Sequence, residues 1–266
     1  MKRLFLANFI GCLLLLASCI SLEESALPET DTIGAYHRAR ASMLTEKKIN
    51  SDVLWVLAQI QSNEPDNGIE IFIATGKKGT RNPHYLPGVF PSEPKIDLPE
   101  HTGQGIECYI TYVTAPFGQP RDMALYHLAN FIAGENSGYV LTHQFLALVF
   151  AEQAGLPISK EMRMRKDELH KKIVDEQLQT DSIDCMDLYM ERVALILCYG
   201  NKKGVDKKRV DPWIQTIIDT QLPDGSWPLS KTTLCYDGAT TFLSSPRSHT
   251  TALAMLALHS YINLDW

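Results

Sequence analysis

Apolar and charged stretches alternate along the C-terminal half of the chain and divide it into helices of two kinds. Three stretches are apolar on nearly every face and contain the runs that begin at Phe145, Val193 and Ala252. Because a helix that is apolar on all sides has to be buried, these three belong in the interior. The predicted helices lie near residues 121–133, 140–154, 159–178, 184–200, 206–221 and 248–262. The order buried, exposed, buried, exposed, buried predicts concentric helical hairpins, an all-α fold of the α/α-toroid type.

The N-terminal half is less regular. Residues 36–62 carry one helical pattern of apolar positions, after which prolines and glycines interrupt the chain repeatedly. Two short apolar runs in this part, Ile69–Ala74 and Ile106–Val113, have the length and composition of strands. The sequence therefore predicts an irregular, partly β insertion ahead of the toroid. The predicted helices are fewer than a closed double ring needs, so the ring is either partial or completed by residues 63–120.

The first residues have the layout of a secretory signal peptide. Two positive charges, Lys2 and Arg3, precede a short apolar run and the small residues of Leu16-Ala17-Ser18-Cys19. That ending resembles the lipobox of bacterial lipoproteins, which implies cleavage before Cys19 and acylation of its side chain. The alternative is an ordinary signal peptide that is cut near Ser18.

These patterns predict four segments and a location. The segments are a signal peptide at 1–18, a lipidated spacer at 19–35, an N-terminal helix and irregular segment at 36–120, and the toroid hairpins at 121–266. The lipobox resemblance implies an exported protein that is anchored to a membrane and faces the periplasm or the cell surface.

Charge narrows the range of partners. The formal net charge is −6, and it becomes −8 once Lys2 and Arg3 leave with the signal peptide. An acidic body argues against nucleic acid and against anionic lipid headgroups, since both require a basic patch. A glycan or a protein remains as the expected ligand, beside the membrane that an N-terminal lipid would enter.

Four cysteines would remain beyond the acylated one. They are Cys108, Cys185, Cys198 and Cys235, which allow three pairings. Cys185 and Cys198 are expected on one helix, roughly 20 Å apart, so they do not pair with each other.

The segment Gln221–Trp227 carries the clearest motif of the chain. Its pattern, Gln–x–x–Asp–Gly–x–Trp, follows a predicted outer helix and leads towards the next buried one. It resembles the repeat of terpene cyclases and protein prenyltransferases, in which the glutamine and the tryptophan tie outer-helix ends to the next hairpin. The segment His249–Leu258 is similar to the inner helices of that superfamily. The resemblance covers roughly residues 121–266, and short repeats of this kind also occur in toroid polysaccharide lyases, epimerases and glycosidases.

Two histidines occupy the same local context. His143 follows Thr142 and His249 follows Ser248, so each histidine is predicted at the first helical position behind a hydroxyl N-cap. A helix N-terminus disfavours positive charge, and both histidines are therefore expected to be neutral, as a general base or a metal ligand would be. The alternative is that each histidine bonds a backbone carbonyl and has no further role.

Three acids lie between them on one predicted helix. Asp184, Asp187 and Glu191 are spaced i, i+3 and i+7 and so share one face of a helix that is otherwise apolar. Acids on a buried helix need a wet cavity or a cationic partner. Asp184 and Asp187 also suit the helix dipole without any function, whereas Glu191 lies too far into the helix for that explanation.

These residues form the predicted catalytic set, which consists of His143, Asp187, Glu191 and His249. Either histidine would act as base or metal ligand and either acid as its partner carboxylate. His249 lies where the prenyltransferase family has its zinc-binding histidine, and a divalent metal such as zinc stays open. The Asp–x–Cys pair of that family is not reproduced, because Asp184 and Cys185 are adjacent.

Two functions remain as alternatives. The first is an enzyme that acts on an envelope or extracellular glycan, or on another polymer, through a central toroid cavity. The second is a non-catalytic lipoprotein that binds a ligand or a protein on the same scaffold.

Overall fold

The computed structural model describes residues 29–47, 49, 51–79, 121–180, 185–199, 205–228 and 246–266. Several sequence predictions lie outside these residues. They are the signal peptide, the lipidation site Cys19, the strand Ile106–Val113, Cys108, Cys235 and Asp184.

The described residues form nine α-helices and no strand, which confirms the all-α class. The helices are α1 (Glu29–Met43), α2 (Ser51–Asn63), α3 (Asn67–Gly79), α4 (Arg121–Ala133), α5 (Gly138–Gln153), α6 (Lys160–Leu178), α7 (Met186–Tyr199), α8 (Lys207–Asp219) and α9 (Pro246–Ile262).

The helices α5, α7 and α9 form the centre of the core. Every residue from Phe145 to Ala151 is buried, as is every residue from Val193 to Leu197 and from Ala252 to Leu258. Helix α7 lies between the other two, and α9 also packs on α1, α2 and α8. The sequence prediction of three interior helices is confirmed.

Helices α6 and α8 are amphipathic and bury one face each. In α6 only four side chains are buried, among them Leu169 and Ile173, and in α8 the buried set includes Val210 and Trp213. The predicted outer character of these two helices is also confirmed.

The predicted strand Ile69–Ala74 is wrong, because these residues belong to α3. Asp66 accepts hydrogen bonds from the backbone N–H groups of Gly68 (2.8 Å) and Ile69 (3.2 Å), so it caps a helix. Ile69 and Ile73, one turn apart, are buried against α2, whereas Ile71 is 67% exposed. A strand would have placed all three on the same face.

Two further boundaries differ from the prediction. The helical pattern at 36–62 is two helices, α1 and α2, separated by residues 44–50. Helix α1 begins at Glu29, inside the segment expected to be a spacer up to residue 35, and buries Thr32 and Ala35.

The segment Gln221–Trp227 joins α8 to the core. Trp227 is completely buried, its indole N–H donates to the Ile217 carbonyl at 2.7 Å, and its backbone N–H donates to the Thr251 hydroxyl at 3.1 Å. The Gln221 amide donates to the Ala35 carbonyl at 2.9 Å. Tryptophan therefore ties α8 to α9, while the glutamine ties the same turn to α1.

Candidate functional site

The helices α5, α7 and α9 bring four titratable side chains together. Asp187 and Glu191 lie one turn apart on α7, the middle helix, and both are buried. His249 reaches Asp187 from α9, and His143 reaches Glu191 from α5. The structure thus places all four residues of the predicted catalytic set in one cluster, as two histidine–carboxylate pairs.

In the first pair, Asp187 of α7 accepts hydrogen bonds from two other helices, α5 and α9. His249 Nδ1 lies 2.9 Å from Asp187 Oδ1, and the same oxygen accepts from the Thr250 hydroxyl at 2.7 Å. The second oxygen, Oδ2, accepts from the Tyr139 hydroxyl at 3.0 Å. These donors supply the partners that a wholly buried carboxylate requires.

The surroundings of this pair keep both groups charged. Burial alone would raise the pKa of Asp187, but the charge and hydrogen bond of His249, with the Thr250 and Tyr139 hydroxyls, hold it below its usual range. Burial would lower the pKa of His249, but the Asp187 carboxylate outweighs it and raises that pKa to about 9. Asp52, at the start of α2, adds negative potential in the same direction.

The second pair is looser. His143 Nδ1 lies 3.7 Å from Glu191 Oε1, too far for a hydrogen bond, and instead lies 2.6 Å from the Tyr139 carbonyl oxygen. A carbonyl only accepts, so Nδ1 carries a proton and Nε2 is the nitrogen that can take one up.

Glu191 has no hydrogen-bond partner on either carboxylate oxygen among the described residues. The nearby Thr142 hydroxyl donates to the Tyr139 carbonyl at 2.9 Å rather than to Glu191. Burial therefore raises the pKa of Glu191, although the two histidines oppose the shift and Asp187 adds to it. Of the two carboxyl groups on α7, one favours the ionised form and the other the protonated form.

The histidines do not occupy the first helical positions that were predicted for them. Helix α5 begins at Gly138, whose φ is +58° and whose N–H is bonded to Glu176, so His143 lies in its second turn. Helix α9 begins at Pro246, because proline suits a first turn, and His249 is its fourth residue. The expectation that His249 is neutral is wrong, since Asp187 determines its charge rather than the helix end.

Sequence reasoning missed three residues of the site. The hydroxyl groups of Tyr139 and Thr250 both reach Asp187, and Asp52 acts on His249 from α2. Tyr139 lies one turn before His143, and Thr250 follows His249, so proximity to the predicted residues was the available signal. Nothing in the sequence indicated that α2 lies beside α9.

The sequence left a divalent metal open at these four residues. Within the described part of the chain, no group of three or more His, Cys, Asp or Glu side chains is placed to hold a metal ion. The described side chains of the cluster form two histidine–carboxylate pairs.

The comparisons with known proteins assign no function to this site. The sequence matches no protein-family profile, no curated protein and no solved structure.

Proposed function

We propose that the chain is an acid–base enzyme that acts on an envelope or extracellular glycan, or on another polymer. The observation that carries the proposal is the pair of buried carboxyl groups on α7, each of which faces a histidine of a neighbouring helix. Their different surroundings displace their pKa values in opposite directions. Such divergence is how active sites assign one group to hold a proton and another to remain charged. Among the described residues Glu191 also has no hydrogen-bond partner, and burying a carboxyl group in this way costs stability that a purely structural cluster would avoid.

In this proposal the two histidines are the groups that meet the substrate. The His249 side chain is 29% exposed and that of His143 is 15% exposed, whereas the acids behind them are buried. Asp187 holds Nδ1 of His249 and keeps the ring protonated, so His249 Nε2 donates a proton to the leaving oxygen. His143 Nε2 removes a proton from the attacking water or from the substrate carbon, and protonated Glu191 beside it supplies a hydrogen-bond donor.

We also propose that the helices form an α/α toroid and that the protein is exported. The alternation of interior α5, α7 and α9 with outer α6 and α8 supports a complete or partial α/α toroid with the histidines at one rim. Cys185 is disulfide-bonded, and such bonds persist in oxidising compartments, which supports export. Cys19 would carry the lipid.

A non-catalytic scaffold is the second candidate. The observation that favours it is that both carboxylate oxygens of Asp187 already accept hydrogen bonds from protein groups. A structural ion pair that holds three helices together would look the same. In this alternative the cluster stabilises the core, and a ligand or protein binds elsewhere.

A comparison of two variants on one helix tests the proposal. Purified full-length protein is incubated with peptidoglycan sacculi and with a panel of neutral and uronate-containing polysaccharides, and new reducing ends or unsaturated sugars are measured. We expect product from at least one polymer, and we expect His249→Gln and Glu191→Gln to reduce its rate by about a hundredfold or more. The control is His259→Gln, since His259 is also a buried histidine of α9 but lies outside the cluster.

The outcomes separate the two candidates. Loss of product in the His249 and Glu191 variants but not in the His259 variant supports the enzyme. If no polymer yields product, or if the first two variants retain the parent's rate, the enzyme is rejected and the scaffold is favoured.

A further inference from the structure

Tyr139 contacts both histidine–carboxylate pairs, and it does so with two different groups. Its hydroxyl donates to Asp187 Oδ2 at 3.0 Å, and its main-chain carbonyl lies 2.6 Å from His143 Nδ1. The Tyr139 and His143 rings also pack edge to face, with centroids 6.1 Å apart. One residue of α5 therefore touches the acid of the first pair and the base of the second.

The two contacts have different chemical consequences. The hydroxyl holds the Asp187 oxygen that does not face His249, so the carboxylate plane is fixed with Oδ1 towards the histidine. The carbonyl fixes the proton of His143 on Nδ1 and thereby leaves Nε2 as its proton-accepting nitrogen.

Tyr139 is itself held in place from two directions. Its hydroxyl lies 3.2 Å from the Sγ atom of the disulfide-bonded Cys185, just before α7. The N–H of Gly138, the preceding residue, is bonded to Glu176, which forms an ion pair with Arg192, the neighbour of Glu191 on α7. The start of α5 is thus tied to the residue before α7 by the Tyr139 hydroxyl, and to α7 itself through Glu176 by the Gly138 N–H.

We propose that Tyr139 is the positioning residue of this site, whose hydroxyl orients Asp187 behind His249 while its carbonyl sets the tautomer of His143. The inference rests on the proposed function for its catalytic meaning, but the hydrogen bonding can be tested without any substrate. Tyr139 does not exchange a proton with the substrate in this scheme. It acts through the two residues that it orients.

The test is an NMR titration of the aspartate carboxyl carbons in ligand-free, full-length Tyr139→Phe protein. The Asp187 resonance is identified as the one that is missing from the spectrum of Asp187→Asn. Phenylalanine keeps the ring and the carbonyl and removes only the hydroxyl. A charge-assisted hydrogen bond favours the ionised carboxylate, so its loss should raise the proton affinity of Asp187 by about tenfold, one pH unit. The tautomer of His143 should be unchanged.

The matched control is Tyr261→Phe, which removes a tyrosine hydroxyl that donates to Asp211 at 2.6 Å, away from this cluster. It should leave the Asp187 titration where it is in the parent. If Tyr139→Phe also leaves it there, the positioning role is overturned, whether or not any polymer is processed.

A second measurement decides the question if Tyr139→Phe does not fold. The hydroxyl proton of Tyr139 in the parent should then exchange slowly with solvent, and this protection should disappear in Asp187→Ala, which removes the acceptor oxygens. A hydroxyl proton that exchanges rapidly in the parent would overturn the proposal.

Discussion

Asp187 and Glu191 lie one turn apart on α7 and are equally withdrawn from solvent, yet their surroundings favour opposite charge states. Asp187 accepts from His249, Thr250 and Tyr139, and these donors outweigh the cost of burying its charge. Glu191 accepts no hydrogen bond within the described residues, so burial decides its state. At the residue scale, therefore, the number of donors rather than the depth of burial distinguishes the two acids.

The ion pair of Asp187 and His249 should make stability depend on alkaline pH. The pKa of His249 is raised to about 9 in the folded protein, against 6.5 for an ordinary histidine. Because the folded protein binds this proton more tightly than the unfolded chain does, His249 contributes its full stabilisation below pH 6.5. The contribution is lost as the pH rises through about 9. We expect the parent's free energy of unfolding to fall by at most about 3 kcal/mol across that interval.

Asp187→Asn provides the comparison for this prediction. Without the carboxylate, burial lowers the pKa of His249, so the loss attributed to His249 should be absent from the variant. The measurement is chemical denaturation between pH 6 and pH 10, together with an NMR titration of the His249 ring. Because Asp187 also raises the pKa of Glu191, the NMR titration of the His249 ring, and not the difference in denaturation alone, assigns the lost contribution to His249. An unchanged His249 titration near pH 9 in the variant would show that another group holds its proton.

The residues of the site were predictable to different degrees. The spacing of Asp187 and Glu191 on an apolar helix indicated that both needed partners, and the two histidines were identified from their local sequence. Their helical positions and the charge of His249 were predicted wrongly, because the partner acid outweighs the helix end. Tyr139 could not be identified as a partner of Asp187, since its hydroxyl acts across helices and leaves no periodic pattern.

At the scale of whole elements, the periodicity of apolar residues predicted the helices that pack along several turns. It failed at α3, whose start is determined by a capping residue. The six helices of the C-terminal half were predicted to within a few residues, because their apolar positions recur over several turns. Helix α3 was mistaken for a strand because Ile69, Ile71 and Ile73 alternate and are β-branched. Asp66, which the apolar pattern does not include, is the residue that caps this helix.

The turn after α8 lies close to α1, and glycine substitutions test how tightly the two are packed. Gly225 has φ of +84°, and a Cβ atom there would lie 2.4 Å from the Arg38 carbonyl oxygen of α1. Gly155 has φ of +71°, and no described atom lies within 4 Å of the position that a Cβ atom would take there. Gly155→Ala therefore measures the backbone cost alone. We expect Gly155→Ala to cost about 1–2 kcal/mol and Gly225→Ala at least about 3 kcal/mol.

Thermal and chemical denaturation of the two variants measures this difference. The excess cost at Gly225 reflects backbone atoms of α1 that cannot move aside without also disturbing the Gln221 hydrogen bond to Ala35. Equal losses in the two variants would indicate that the turn is free to move away from α1, and would weaken its role in joining α8 to the core.

At the scale of the whole molecule, the remaining question is what would hold an acidic helical body at a membrane. None of the described helices is both long enough and apolar enough to cross a bilayer. The net charge of −6 in the full sequence gives no attraction to anionic lipids. We propose Cys19 as the point of attachment to a membrane.

Cys19→Ser tests this anchor. A single acyl chain binds membranes only marginally, so stable attachment requires more than one chain on the processed N-terminus. We expect the parent to stay with the membranes through high-salt and alkaline washes, and the Cys19→Ser protein to be soluble or to accumulate as an uncleaved precursor. Cys198→Ser is the control, because Cys198 is a free thiol held against Ser260 inside the fold, and its replacement should leave the membrane fraction unchanged. A Cys19→Ser protein that is processed to the parent's size and still resists both washes would remove Cys19 as the anchor.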